Sequence, residues 1–274
     1  MLLDLVEYAR APYPWHLAPM GYVREARLIA TRARQLEPAW RSHLQATRQN
    51  IEASIDLCRQ HNTVVVVGSG TLLDIPIDAL RRAFGKVVLL DIIQSRATRR
   101  ICKQWSNVEL LTLDATGVAQ PVYAAARQND VTILPKSTPP TLKGQPVDLI
   151  ISANLLSQLS VIPRSFLQGH CPQIAPARLS AFSRDLVEAH LHWLTQSATH
   201  VCLISDVVRI EEANGAAIQT NIVENVDLPA PDEVWDWHIA PKGSVYRDRG
   251  VTHRVHAYRD FRPQGLPSAT DPAA

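Results

Sequence analysis

The segment VVVVGSGTLLD (64–74) sets Gly68 and Gly70 directly behind a run of β-branched residues. Glycine is required where a chain turns tightly and its backbone must approach a ligand, because no Cβ intervenes. A helix opening at this point would turn free N–H groups and a partial positive charge toward a carboxylate or phosphate. Asp91 closes a second apolar run, KVVLLD, about 20 residues further on, where a carboxylate can accept hydrogen bonds from both hydroxyls of a ribose. Asp114 closes a third run in LLTLDAT and lies where it can meet an adenine amino group. Each acid has a plainer alternative. Asp91 can cap the helix expected over Ser95–Trp105, and Asp114 can close an Asx-turn.

Past the fourth run stands Asn154, a side chain able to bond a cofactor or a substrate, or to cap the helix that follows. Ser157 and Gln158 lie on the first turn of that helix. Asp206 ends the fifth run and is placed to orient or deprotonate a substrate, or else to pair with Arg209. His238 in WDWHIAP and His253 in THRVH are the two base candidates, against a plain reading as strand-face histidines. His190 and His192 sit two apart in a helical pattern and point to different faces, and His170-Cys171 has no matching partner, so no metal site is expected.

These residues hang on a regular alternation. TVVVVG (63–68), KVVLLDI (86–92), VELLTLD (108–114), VDLIISA (147–153) and HVCLISDVV (200–208) are apolar runs without polar alternation, the pattern of strands buried on both faces. Helical patterns separate them over 73–84, 95–105, 118–129 and 176–196, which predicts βαβ crossovers and a parallel sheet. VVRIEE and AAIQTNIVENV flank Asn214-Gly215, a hairpin signal. VWDWHIA (234–240) and THRVHAYRDF (252–261) alternate as antiparallel strands around Lys242-Gly243. Two apolar stripes between Tyr22 and Gln60, interrupted at Pro38, predict helices ahead of the sheet.

Three regions follow: a helical extension or lid at 1–60, a catalytic domain at 61–262 and a disordered tail at 263–274. Tyr13, Trp15, His16 and the arginines Arg24, Arg27, Arg32 and Arg34 equip the first region either as a lid over a cofactor or as an added layer offering a homodimer surface. Trp235 and Trp237 share one face of their strand, where Arg254 and Tyr258 join them as a wall for a substrate or as sheet packing.

The 274 residues carry Lys plus Arg 28 against Asp plus Glu 26, a net charge of +2, which gives no electrostatic ground for nucleic acid or an anionic membrane as partner. Cys58, Cys102, Cys171 and Cys202 form no CxxC pair, so a reducing cytoplasm is the expected compartment. No apolar run reaches the roughly 20 residues that span a bilayer.

The glycine loop, the acids at the ends of the second and third runs and the closing antiparallel pair resemble the class I S-adenosylmethionine-dependent methyltransferase family over about residues 60–262. The resemblance implies a Rossmann-like α/β fold: a seven-stranded, mostly parallel sheet with a reversed final strand and helices on both faces. It implies S-adenosyl-L-methionine as cofactor and in-line methyl transfer to a small-molecule acceptor. It places the loop Gly68, Ser69, Gly70 and Thr71 beside the methionine part, Asp91 with Ile92 at the ribose, Asp114 with Ala115 at the adenine, and Asn154 at the amino-acid end, facing the acceptor. Asn154, Asp206 and His238 are then the expected catalytic residues. The chain departs from the family at Val66, where an acid often stands, and at Leu72, where the loop's third glycine is expected. A dinucleotide fingerprint would want its third glycine at Leu73. VVGSGTLL also resembles nicotianamine-synthase-like enzymes, which move an aminocarboxypropyl group from the same cofactor, and a non-catalytic binding module remains a third reading.

Overall fold

The computed structural model describes residues 13–263 apart from Lys143, Gln145 and Asn214. The expected tail therefore lies, from residue 264 on, outside the described residues, as does the first half of the Asn214-Gly215 turn. Eight strands form one sheet in the order β3-β2-β1-β4-β5-β8-β7, with β6 paired to β5 off this path. They are β1 (Thr63–Val67), β2 (Lys86–Asp91), β3 (Val108–Thr112), β4 (Leu149–Ala153), β5 (His200–Ala213), β6 (Ala216–Asn221), β7 (Glu233–Ala240) and β8 (Arg249–Tyr258).

The pairs β1–β2, β2–β3, β1–β4 and β4–β5 are parallel. β8 is antiparallel to both β5 and β7, so β7 runs in the direction of the first five strands. The mostly parallel sheet with a reversed final strand is as expected, with one strand more. The extra strand is β6, which exists because β5 continues to Ala213, past the end of β4, and folds back on itself.

Every residue of β1 and β4 is buried, as their unbroken aliphatic runs require. One face of the sheet packs against α3 (Glu37–Ile55), α4 (Ile77–Ala83) and α5 (Arg96–Cys102), through Val64, Val66, Leu89, Ile151, Ile51 and Leu80. The opposite face packs Val65, Val67 and Ile150 against Val187, Leu191 and Leu194. These belong to α8 (Pro176–Ser197), the last helix among the described residues. A third apolar cluster joins α1 (Leu17–Met20) and α2 (Tyr22–Gln35) to α6 (Ala119–Gln128), α7 (Val161–His170) and α8. The helices before β1 thus divide. α1 and α2 lie with α6 and α7, while α3 crosses to the other side of the sheet, turning at Leu36 just ahead of Pro38. The helix expected after the fourth strand opens with a single 3-10 turn, Leu156–Gln158, and continues as α7 from Val161.

Trp40 ties α3 to the sheet. Its indole N–H donates to the Ile239 carbonyl at 3.0 Å, and its ring meets that of Trp237 edge-on at 5.0 Å. Trp40→Ala is expected to cost about 3–5 kcal/mol and to lower the melting temperature by roughly 10 °C, measured by thermal unfolding.

Candidate active site

The polar side chains of interest gather where β1, β2 and β4 end and β5 runs on past β4. At the end of β1 the chain bends toward β2, as Gly68 N–H and Ser69 N–H both donate to the Leu90 carbonyl, at 2.8 and 3.3 Å. Gly68 holds φ +72°, and a Cβ there would lie 3.0 Å from the Leu155 side chain. Both the conformation and the space call for glycine. Leu72, where a glycine was expected, keeps φ at 61°. The left-handed turn survives the substitution and carries the strain a side chain brings there. No helix opens at the loop, however. α4 begins only at Ile77, so the expectation of helix N–H groups facing a ligand at Gly70 is corrected. The residues between, Leu73 to Pro76, include two turn-formers that hold the chain off the helix.

Asp91 ends β2 with its carboxylate accepting from Gly70 N–H at 2.7 Å through Oδ2 and from Ile93 N–H at 3.1 Å through Oδ1. Burial raises its pKa, opposed by those backbone donors. The cap of α5 is Ser95, which accepts from Thr98 N–H at 2.9 Å, so Asp91 is left to brace the loop and face the cleft. Asp114 makes the Asx-turn: Oδ1 accepts from Thr116 N–H and Thr116 O–H at 2.8 and 2.7 Å, and Oδ2 accepts from Ala119 N–H at 2.8 Å. One lone pair of Oδ2 stays unassigned.

A cleft runs along these strand ends. A narrow part of about 70 Å³ is walled by Gly68, Asp91, Ala115, Leu155, Gln158 and Tyr22. A wider cavity of about 550 Å³, walled by His16, Leu17, Gly117 and Ala119 among others, shares Ile92, Leu113 and Asp114 with it. Tyr22 and His16 come from the N-terminal helical region, which therefore closes one side of the cleft. Burial, reinforced by the Asp114 charge, pushes the Tyr22 hydroxyl pKa up. Burial lowers that of His16, with Asp114 opposing. Trp15 stays 70% exposed, its ring edge-on to Tyr123 at 4.9 Å.

On the α3 face, a second group of polar side chains is almost wholly buried. Asp206 takes Ser157 O–H at 2.5 Å on Oδ1 and lies 2.6 Å from His253 Nδ1 through Oδ2. Arg209, its expected partner, pairs with Glu211 at 2.8 Å instead. The bulge between Asp206 and Val208 sets Arg209 opposite His253, and its guanidinium is taken by Glu211, two residues further along the same face. His43 of α3 stacks on Trp237 with ring centroids 4.0 Å apart and planes 6° from parallel, and its Nδ1 accepts the Trp235 indole N–H at 3.1 Å. Burial drives its pKa down to about 3, so it is neutral.

A proton count extends from there. With Nδ1 accepting, neutral His43 carries its proton on Nε2. That nitrogen faces the Asn154 amide terminus at 3.2 Å, and the same terminus lies 2.7 Å from Asp74 Oδ2. An NH₂ group at that position would meet the Nε2 proton donor to donor. With the amide turned so that its oxygen sits there, both contacts become hydrogen bonds, provided Asp74 is protonated. Burial raises the Asp74 pKa in that direction, against the opposing pull of Asn154 and Arg48. Asn154 itself adopts φ 54°, which asparagine tolerates, and it bridges Asp74 and His43 rather than capping the helix.

The structure thus brings Asn154 and Asp206 to one face and corrects His238. Neighbouring residues of a strand point oppositely, so with Trp237 facing α3, His238 faces outward. It is exposed, 3.0 Å from Thr252 Oγ1. His253, in phase with Val255 and Ala257 along β8, takes the inward place. The residues that sequence reading missed are His43 and Asp74. His43 is marked only by its position on the apolar stripe Trp40, Leu44, Thr47, Ile51. His190 is a buried histidine outside the cluster, 3.0 Å from Ser152 Oγ, its pKa lowered by burial to about 3.

No protein-family model matches the chain, and no curated protein is similar to it in sequence. Among solved structures it is similar to the N-methyltransferase NodS from Bradyrhizobium japonicum WM9, at 13% identity and TM-score 0.38, over 81% of this chain and 97% of that one. It is similar at 8% identity and TM-score 0.35 to Burkholderia thailandensis 1,6-didemethyltoxoflavin-N1-methyltransferase, crystallised with S-adenosylhomocysteine, over 84% and 88% of the two chains. The 23S rRNA methyltransferase ErmE is similar at 11% identity and TM-score 0.32, over 80% and 71%. With no identity above 13% and no TM-score above 0.38 among the three, these likenesses decide neither cofactor nor acceptor.

Two measurements check the protonation states. If Asp74 is neutral, Asp74→Asn should cost under about 1 kcal/mol, while Asp74→Ala, which strands the amide, should cost about 1–3 kcal/mol. For His190 the folded pKa lies below the ordinary 6.5, so the unfolded chain binds the proton first and stability falls as pH drops below that value. His190→Gln should therefore remove about 2 kcal/mol of the stability lost between pH 7 and pH 5, read from urea unfolding.

Proposed function

We propose that the chain is an S-adenosylmethionine-dependent methyltransferase acting on a small-molecule acceptor. The observation that carries this reading is Asp91. Its carboxylate stands at the C-terminal end of the strand beside the glycine turn, braces that turn through Gly70 N–H, and walls the cleft. In an open α/β sheet that is where the hydroxyls of a ribose are held. The residues around it suit the rest of such a cofactor. Ile92 and Ala115 give apolar walls for a purine, and Asp114 keeps one lone pair toward the cleft. Gly68, Ser69, Gly70 and Thr71 line the side on which the amino-acid end would lie, with the buried Ser69 hydroxyl still without a partner.

The cofactor would supply a methyl group already activated on sulfur. What remains for the chain is to align an acceptor and keep water out. Asn154 follows the end of β4 and Asp206 lies within β5, beyond the part of it that pairs with β4, on the side covered by α3. Two features favour a small acceptor. Charge is balanced, at +2 overall, and the helices before β1 close over the strand ends from both sides, α3 on one and α1 with α2 on the other. That enclosure suits a metabolite better than a duplex. Among the described residues no helix is long and apolar enough to cross a membrane.

Titration calorimetry with S-adenosylmethionine should give a saturable micromolar isotherm. Asp91→Ala should weaken it roughly 10- to 100-fold, the worth of hydrogen bonds to a charged group. An unchanged isotherm in the variant, or none in the parent, would overturn the reading. With an acceptor present the product is expected to be S-adenosylhomocysteine. Release of 5′-methylthioadenosine would instead assign aminocarboxypropyl transfer.

A further inference from the structure

Three groups in the buried cluster under α3 have every neighbour accounted for except one atom. The Gln158 amide donates to Ser157 Oγ at 2.9 Å, which leaves the Ser157 proton to go to Asp206 Oδ1 at 2.5 Å. Asp206 Oδ2 then takes the proton of His253 Nδ1 at 2.6 Å. A neutral imidazole carries one proton, so His253 Nε2 is bare, and it is buried without a partner. The edge of the Trp237 ring meets the His253 ring at 6.0 Å, and the Trp237 indole N–H is also buried without a partner. The two residues are only 5% and 9% exposed. In the same cluster the Asn154 amide atom turned away from His43 and Asp74 is also buried without a partner. Buried polar atoms left without partners are rare in folded proteins, because each forfeits its hydrogen bond to water.

One neutral hydroxyl completes the set, since it can donate to a nitrogen lone pair and accept from an indole N–H at once. An ammonium group cannot, because it offers no lone pair to Trp237. Resting on the methyltransferase reading, we infer that His253 is the catalytic base, that Asp206 is its positioning residue, and that the acceptor presents a neutral hydroxyl between His253 Nε2 and Trp237 Nε1. The hydroxyl proton passes to Nε2, forming an imidazolium held by the ionised Asp206. The electron pair of the broken O–H bond stays on the acceptor oxygen as the nucleophile, and the proton later leaves to water.

The test is long-range ¹H–¹⁵N spectroscopy of the [¹⁵N]histidine-labelled full chain at about pH 8, where an ordinary histidine is neutral. His253 is expected to be protonated on Nδ1 and bare on Nε2. Phenol, the hydroxyl probe, should shift Nε2 saturably, whereas anisole, which lacks the proton, should not. Trp237→Phe should weaken the phenol response roughly tenfold, the loss of one neutral hydrogen bond. In Asp206→Asn, Ser157 keeps the oxygen of the new amide and turns its NH₂ to His253 Nδ1, so the tautomer should reverse and the phenol response vanish.

A proton on Nε2 in the parent chain overturns the assignment, as do equal responses to phenol and anisole. Absence of any response overturns it too, and identifies the site as the seat of an internal water only. Calorimetry with S-adenosylmethionine on the same samples separates the two readings. A phenol response without cofactor binding removes the methyltransferase reading and leaves the hydroxyl site, and the reverse outcome removes the hydroxyl site alone.

Discussion

A parallel sheet covered by helices on both faces leaves its side chains no room for chemistry except at the strand ends. β1 and β4 are buried at every residue, and a polar group inside either is cut off from water and needs a buried partner, as Ser152 has in His190. Gly68 and Asn154 are therefore the first residues off β1 and β4, Asp91 is the last on β2 and Asp114 follows the end of β3, while Asp206 sits where β5 runs on past the end of β4. The glycine turn depends on the same arrangement: its N–H groups are satisfied by Leu90 and Asp91, at the end of the neighbouring strand. The cleft is shaped by what the strands expose where they stop.

The antiparallel end of the sheet adds a different kind of site. β8 slots between β5 and β7 and presents His253 opposite Asp206, while β7 contributes Trp235 and Trp237. α3 lies across them and inserts His43, stacked on Trp237. Burial decides the charge states here. It drives the His43 pKa down to about 3 and pushes that of Asp74 up, against the hydrogen bond from Asn154. His253 differs because a carboxylate stands 2.6 Å from its Nδ1, which fixes which nitrogen is free. The two sites meet at the segment after β4, where Asn154 and Ser157 serve the cluster while Leu155 and Gln158 wall the cleft.

The sequence pattern was most readable where one physical force dominated. Aliphatic runs located all five parallel strands, through burial on both faces for β1 and β4, whereas β3, at the edge of the sheet, has no fully buried residue. The closing strands were readable from period-two alternation around Lys242-Gly243. The helix expected from residue 73 begins at Ile77 instead, because Asp74 and Pro76 favour turn geometry over helix. Asp114 could be read as an adenine-side acid or as an Asx-turn from its residue type alone, and its three local hydrogen bonds realise the second. His238 and His253 were equivalent on paper. A single step in strand phase separates the residue facing solvent from the one facing Asp206.

By itself, then, the sequence determined the layered α/β architecture, the reversed final strand and the acids at the strand ends, because these follow from local periodicity and from where apolar runs stop. Tertiary structure alone decided which polar groups meet. The pairing of Asp206 with His253 spans 47 residues and that of His43 with Trp235 spans 192, and each depends on strand order and on the side of the sheet that α3 covers. No local pattern encodes such contacts. Their protonation states were decided there as well, since they follow from burial, which exists only once the chain is packed.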